Sequence, residues 1–152
     1  MAKIEHIKGN IFNQIGYGIV FAIDSTFTCD VGICKQLDEA YNVEKGLRAI
    51  PEESTKWKGK GYCISFTKGT QDLYALVVKA LPQQYPEYHN IREAMLSLAA
   101  EISHKHSVIT PKIAMPKVCC GNYDKREWPL IEDIIREAFA NIDCDILIVE
   151  KE

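Results

Sequence analysis

Two hydrophobic periods alternate along the chain. Near-continuous or every-second apolar runs mark six strands, at residues 4–8, 18–24, 62–67, 73–80, 113–118 and 145–149. Residues 4–8 alternate as an edge strand does, whereas 18–24 and 145–149 are apolar on both faces, as strands covered on both sides are. Three- and four-residue spacing marks the helices. One runs from Gly32 through Ile33, Leu37 and Ala40-Tyr41, and a second over 43–50 stops at Pro51. A long one over 87–105 carries Ile91, Met95, Leu96, Leu98, Ala99 and Ile102, and the last starts at Trp128 and turns Ile131, Ile134, Ile135 and Phe139 inward. The order β-β-α-β-β-α-β-α-β places helices between strands, which requires crossovers. It predicts an α/β fold, a three-layer α/β/α sandwich around a mixed, largely parallel central sheet.

The connections fit that order. Gly9-Asn10 reads as a turn, residues 68–72 as a hairpin, and Pro82 and Pro86 bracket an extended linker. Residues 52–61 are charged and read as a solvated loop. No repeat, low-complexity tract or dividing linker occurs, so residues 1–152 are expected to form a single domain.

Composition narrows the function classes. Of 152 residues, 47% are apolar and 26% charged, the values of an ordinary globular chain. A formal net charge of −3 argues against non-specific nucleic-acid binding, yet backbone N–H groups can still hold a small anion. No apolar run reaches membrane-spanning length, and Met-Ala-Lys-Ile-Glu-His at the start lacks a signal-peptide core, so a cytoplasmic protein is expected. The six cysteines (29, 34, 63, 119, 120 and 144) show no zinc-ligand spacing, so no metal site and reduced thiols are expected.

Residues 113–128 concentrate the chemistry. A strand, a loop turning at Gly121-Asn122 and a helix from Trp128 bring free N–H groups and a positive dipole end to one point. This is the local design of a phosphate-binding crevice at the carboxyl end of a sheet. Adjacent Cys119 and Cys120 suggest a thiol nucleophile, but none of His6, His89, His104 and His106 lies nearby as a base, and packing explains them better. His104 and His106 end a helix and read as structural.

Three stretches, Ile7-Lys-Gly-Asn-Ile-Phe12, Phe21-Ala-Ile-Asp-Ser25 with Gly32-Ile33, and Met115-Pro-Lys-Val-Cys-Cys-Gly121 with Trp128, resemble the macrodomains. The middle, 74–91, looks most like the branch that removes terminal ADP-ribose from protein glutamate. The resemblance implies a site for ADP-ribose, or for an ADP-ribosylated protein, with no cofactor. Asn10 and Ile11 would meet adenine. Asp24, Ser25, Gly32 and Ile33 would form one wall of the diphosphate crevice, and Val118, Cys119, Cys120, Gly121, Asn122 and Tyr123 the other. The family often has an acid where Asn10 stands, so a charge-assisted bond to adenine is lost. It often has glycine where Asp30 and Cys119 stand. An acidic Asp30 would cost affinity unless it turned away or capped the helix, and Cys119 adds bulk.

The resemblance also implies catalysis. Lys79 aligns with the branch's nucleophile at the distal ribose. The partner acid falls at Asp124, one residue later than usual, so a bulge must bring it to the ribose. A hydrolase acting on ADP-ribosyl glutamate or a small ADP-ribose derivative is expected. The alternatives are a non-catalytic ADP-ribose-binding module and an ADP-ribose 1''-phosphate phosphatase.

Overall fold

A computed structural model describes residues 2–50, 56–105, 109–121 and 124–151. Its strands are β1 (Lys3–Lys8), β2 (Gly18–Asp24), β3 (Tyr62–Lys68), β4 (Gln71–Lys79), β5 (Lys112–Met115) and β6 (Asp145–Glu150). They form one sheet in the order β1-β6-β5-β2-β4-β3, parallel throughout except for the antiparallel β3–β4 hairpin. That hairpin closes between Lys68 and Gln71, tighter than the five-residue turn expected from sequence. Among the described residues the helices are α1 (Gly32–Tyr41), α2 (Val43–Arg48), α3 (Tyr88–Ser103) and α4 (Trp128–Ala138), with a short 3-10 turn at Ile11–Asn13.

The two faces of the sheet explain the strand patterns. Val20, Tyr74, Leu76 and Val78 pack with α3 and α4 on one face, while Ile19, Phe21, Ile23, Ala75 and Val77 pack with α1 and α2 on the other. β2 and β4 are therefore covered on both sides, which is why their sequences lack a polar alternation. β1 at the edge is exposed at every residue except Ile4 and Ile7, which are half-buried. On α3, Ile91, Ala94, Met95, Leu98, Ala99 and Ile102 are at most 2% exposed. Each large apolar side chain of that kind contributes about 1.5–3 kcal/mol by leaving water.

Four sequence expectations are corrected. β5 ends at Met115 rather than at 118, because Pro116 has no N–H for the ladder and Val118 N turns back to Pro116 O at 2.7 Å. The helix expected to reach Lys105 ends at Ser103, with His104 as its C-cap, its N–H still bonded to Ala100 O at 3.2 Å. The charged segment 52–61 is not solvated at its end: Gly61 is buried, and its N–H donates to Asn90 Oδ1 at 3.0 Å. Cys29 and Cys34 form a disulfide where reduced thiols were expected, and the other four cysteines are free. His106, Asn122, Tyr123 and residues 51–55 lie outside the described residues.

Candidate functional site

The parallel strands β1, β6, β5, β2 and β4 all end on the same edge of the sheet, so the loops after them share that edge. The first loop begins at Asn10. Its Oδ1 accepts the Phe12 N–H at 2.9 Å and caps the 3-10 turn that buries Ile11. Asn10 itself is exposed, and an amide oxygen has a second lone pair to offer. A cavity of about 1030 Å³ opens here, lined by Asn10, Ile11, Gly32, Ile33, Pro116 and Val149 among others.

The loop after β2 is built by its own side chains. Buried Asp24 accepts from Thr26 N at 2.9 Å, from the Thr26 hydroxyl, and from Thr28 N at 3.2 Å. Ser25 ties this loop to the end of β4, its N–H donating to Lys79 O at 2.8 Å and its hydroxyl to Ala80 O at 2.7 Å. Asp24 and Ser25 thus fix the course of this loop with side chains already engaged by protein groups, and neither lines the cavity. The Cys29–Cys34 disulfide then spans the entry to α1. Val31, not Asp30, occupies the N-cap position, and no side chain caps the helix. The first N–H groups of α1 are left for a ligand or water, which suits an anion. Gly32, at φ +60°, makes that entry, and a Cβ there would meet no protein atom within 4 Å. Asp30 is exposed beside it.

The loop after β5 leaves the same edge, and its Pro116 lines the cavity. Cys119 has φ +64°, a left-handed conformation that explains why glycine suits the position. It is 5% exposed and packs in the core. Burial first, and the Asp124 charge second, push its thiol well above the usual range. Burial likewise raises Cys120. Neither favours a thiolate, which removes the physical basis for a thiol nucleophile. Val118 is buried and Gly121 exposed.

The described residues of the loop ahead of Trp128 bond back to its start. Lys125 takes φ +52°, its N–H donates to Gly121 O at 2.9 Å, and Arg126 N donates to Cys119 O at 2.8 Å. This fold of the loop delivers Asp124 to Lys79. Lys79 Nζ donates to Asp124 Oδ1 at 2.5 Å and to Pro82 O at 3.0 Å. The side chains are 10% and 17% exposed, so the pair is shielded yet reaches a surface. Among the described residues, Asp124 and Pro82 take two of the three N–H positions on Nζ.

Sequence reasoning missed a further group. A second cavity, of about 500 Å³, is lined by Trp57, Lys79, Gln84, Tyr85, Glu87 and Arg126 among others. The Arg126 guanidinium lies 5.8 Å from the Tyr85 ring centroid and 5.1 Å from that of Tyr88, and its Nε donates to Pro86 O at 2.7 Å. The available signal was the Tyr-Pro-Glu-Tyr run at 85–88, aromatic residues flanking a carbonyl that a cation could reach. Among the described residues, no cluster of three or more His, Cys, Asp or Glu could hold a metal, and no helix is long and apolar enough to cross a membrane.

No family model and no curated protein matches this chain in sequence. Solved structures do match it in fold. The macrodomain of Thermus aquaticus DarG superposes with a TM-score of 0.80 at 15% identity, covering 99% of both chains. The macrodomain of Mycobacterium tuberculosis DarG gives 0.74 at 16% identity, again covering 99% of both. Thermosipho africanus DarTG, solved in complex with ADP-ribose, gives 0.70 at 13% identity, over 95% of this chain and 41% of that one. The fold is that of a macrodomain.

Proposed function

We propose that this chain, acting as one macrodomain over residues 1–152, binds ADP-ribose along the sheet edge and hydrolyses its bond to a protein glutamate. The contact between Lys79 and Asp124 at the end of the crevice carries the reading. The likeness to a structure holding ADP-ribose supports the ligand class. Adenine would lie at Asn10 and Ile11, and the diphosphate between the N-terminus of α1 and the backbone of residues 118–121. The distal ribose would then reach Lys79, three strands along the edge from β6.

The chemistry needs a nucleophile and a proton acceptor in contact. Lys79 Nζ gives a proton to Asp124 and attacks C1'' of the distal ribose. The C1''–O bond breaks and its electron pair leaves on the glutamate carboxylate. Asp124 releases that proton to solvent and, again a carboxylate, takes one from the attacking water, which it passes to the lysine as the amine departs. The hydroxide attacks C1'', and the lysine departs as an amine. The proton transfers to and from the lysine use the one 2.5 Å pair. Ser25, bonded to Lys79 O and Ala80 O, fixes the backbone from which Lys79 projects.

The test has two arms. ADP-ribose at 100 times its Kd stabilises a native state by about 2.7 kcal/mol, a melting shift of several degrees for a chain of this size. The absence of any shift at millimolar ADP-ribose refutes the reading. Protein labelled with ADP-ribose on glutamate loses its label to wild type but not to Lys79→Ala. Binding without release by wild type leaves a non-catalytic module.

A further inference from the structure

The two cavities occupy opposite stretches of the same sheet edge. The larger spans the loops after β1 and β5 and the start of α1, while the smaller lies past Lys79, against the loop after β4 and Trp57 ahead of β3. On the reading above, which this inference depends on, ADP-ribose fills the first and its C1'' stops at Lys79. The group attached to C1'' must continue past Lys79.

We infer that the smaller cavity is the leaving-group subsite, and that Arg126 anchors the carboxylate from which ADP-ribose is cut. Lys79 is already paired with Asp124, so the remaining charged lining residues are Arg126 and Glu87. Glu87 is exposed at the rim, and Arg126 is half-buried. Arg126 is also held in place by its backbone bond to Cys119 O, its Nε bond to Pro86 O, and the two tyrosine rings. A pre-positioned cation favours the bond cleavage because negative charge gathers on the departing oxygen as C1''–O breaks.

The choice of arginine sets a linkage preference. A carboxylate leaves as a stable anion and needs only charge stabilisation. A serine alkoxide needs a proton as it leaves, and a guanidinium does not give one up in a protein. Arg126 therefore favours a departing glutamate or aspartate carboxylate, whereas a serine alkoxide depends on the proton held by Asp124 and gains less from Arg126. Trp57 and Tyr85 offer broad apolar faces beside the anion, room for the methylenes and backbone of the modified residue.

The test compares wild type, Arg126→Gln and Arg126→Lys on one peptide carrying ADP-ribose on either glutamate or serine. Free ADP-ribose affinity is measured alongside. Arg126→Gln should lower kcat/KM on the glutamate-linked peptide by about 100-fold and leave the Kd for free ADP-ribose within about twofold. Arg126→Lys, which keeps charge without the fork, should lose about tenfold and serves if the glutamine variant does not fold. If wild type binds without turnover, it should hold the glutamate-linked peptide tighter than free ADP-ribose, and Arg126→Gln should erase the difference. Unchanged values in both variants overturn the inference. So does a parallel loss of free ADP-ribose affinity, or an equal loss on the serine-linked peptide. Failure of wild type to bind ADP-ribose removes the function itself, and the subsite with it.

Discussion

Lys79 and Asp124 lie 45 residues apart in sequence and 2.5 Å apart in space, on the end of β4 and in the loop after β5. Removing either leaves the other shielded without its partner, which costs about 1–3 kcal/mol. Lys79→Ala and Asp124→Asn are each expected to abolish ADP-ribosyl release while retaining ADP-ribose binding. Their stability losses should be non-additive, the double variant losing less than the sum of the singles. Urea unfolding of the four proteins in a double-mutant cycle measures this, and additive losses would mean the pair does not interact in solution.

Most of the fold was legible because its strands and helices carry unmistakable periods. β2, with Val20 facing one core and Phe21 the other, reads as a doubly covered strand without any partner in view. The end of β5 was misjudged because the apolar run continues past Pro116 while the ladder cannot. For the candidate site, the resemblance points to Lys79 and Asp124 as a pair, but the sequence does not show that they touch. Their contact depends on the course of the loop before Trp128, where Lys125 adopts a left-handed conformation that spacing alone does not reveal. Nothing in a five-residue spacing identified Cys29 and Cys34 as partners, and Arg126 sat in a charged run that gave no hint of its two tyrosines.

Gly61 is the tightest backbone approach in the fold that a single methyl would break. A Cβ there would lie 1.9 Å from Asn90 O and 2.8 Å from its carbonyl carbon, both backbone atoms of α3. Gly61→Ala must push β3 away from the helix that covers it and should cost more than about 3 kcal/mol, at the upper end of overpacking effects. Asn90→Ala removes the acceptor of the Gly61 N–H and should cost about 1–3 kcal/mol. Thermal melts of both variants check the order, and a smaller loss for Gly61→Ala than for Asn90→Ala contradicts the close approach.

The cysteines give a thiol count and a pH dependence. Unfolded without reductant, the protein should present four reactive thiols, and six after reduction, by thiol titration. Burial first, and the Asp145 charge second, push the Cys144 thiol up from 9.0 to about 12. Between those values the native state keeps a proton that the unfolded chain has released. The unfolded state therefore binds fewer protons, and stability falls as pH rises from about 9. Cys144→Ala should make this decline shallower in urea midpoints taken between pH 8 and 10.5, with buried Cys63 and Cys119, also raised, still contributing to it. An unchanged slope would show that Cys144 does not titrate out of step with the unfolded chain.

Asn10 is the position where a single isosteric change should strengthen the proposed ligand contact. Its Oδ1 already accepts the Phe12 N–H at 2.9 Å, and a carboxylate accepts that bond equally well, so Asn10→Asp should leave stability within about 0.5 kcal/mol. Toward adenine the two differ. The exocyclic amine donates, and a charged acceptor makes a bond roughly twice as strong as a neutral one. Asn10 is exposed, so water screens part of that gain, and the expected improvement is about three- to tenfold in Kd for ADP-ribose, near 1 kcal/mol. Calorimetric titration with ADP-ribose and with ribose 5-phosphate, which lacks the base, separates the causes. Tighter ADP-ribose binding with unchanged ribose 5-phosphate binding places adenine at residue 10. Equal affinities for wild type and Asn10→Asp place it elsewhere.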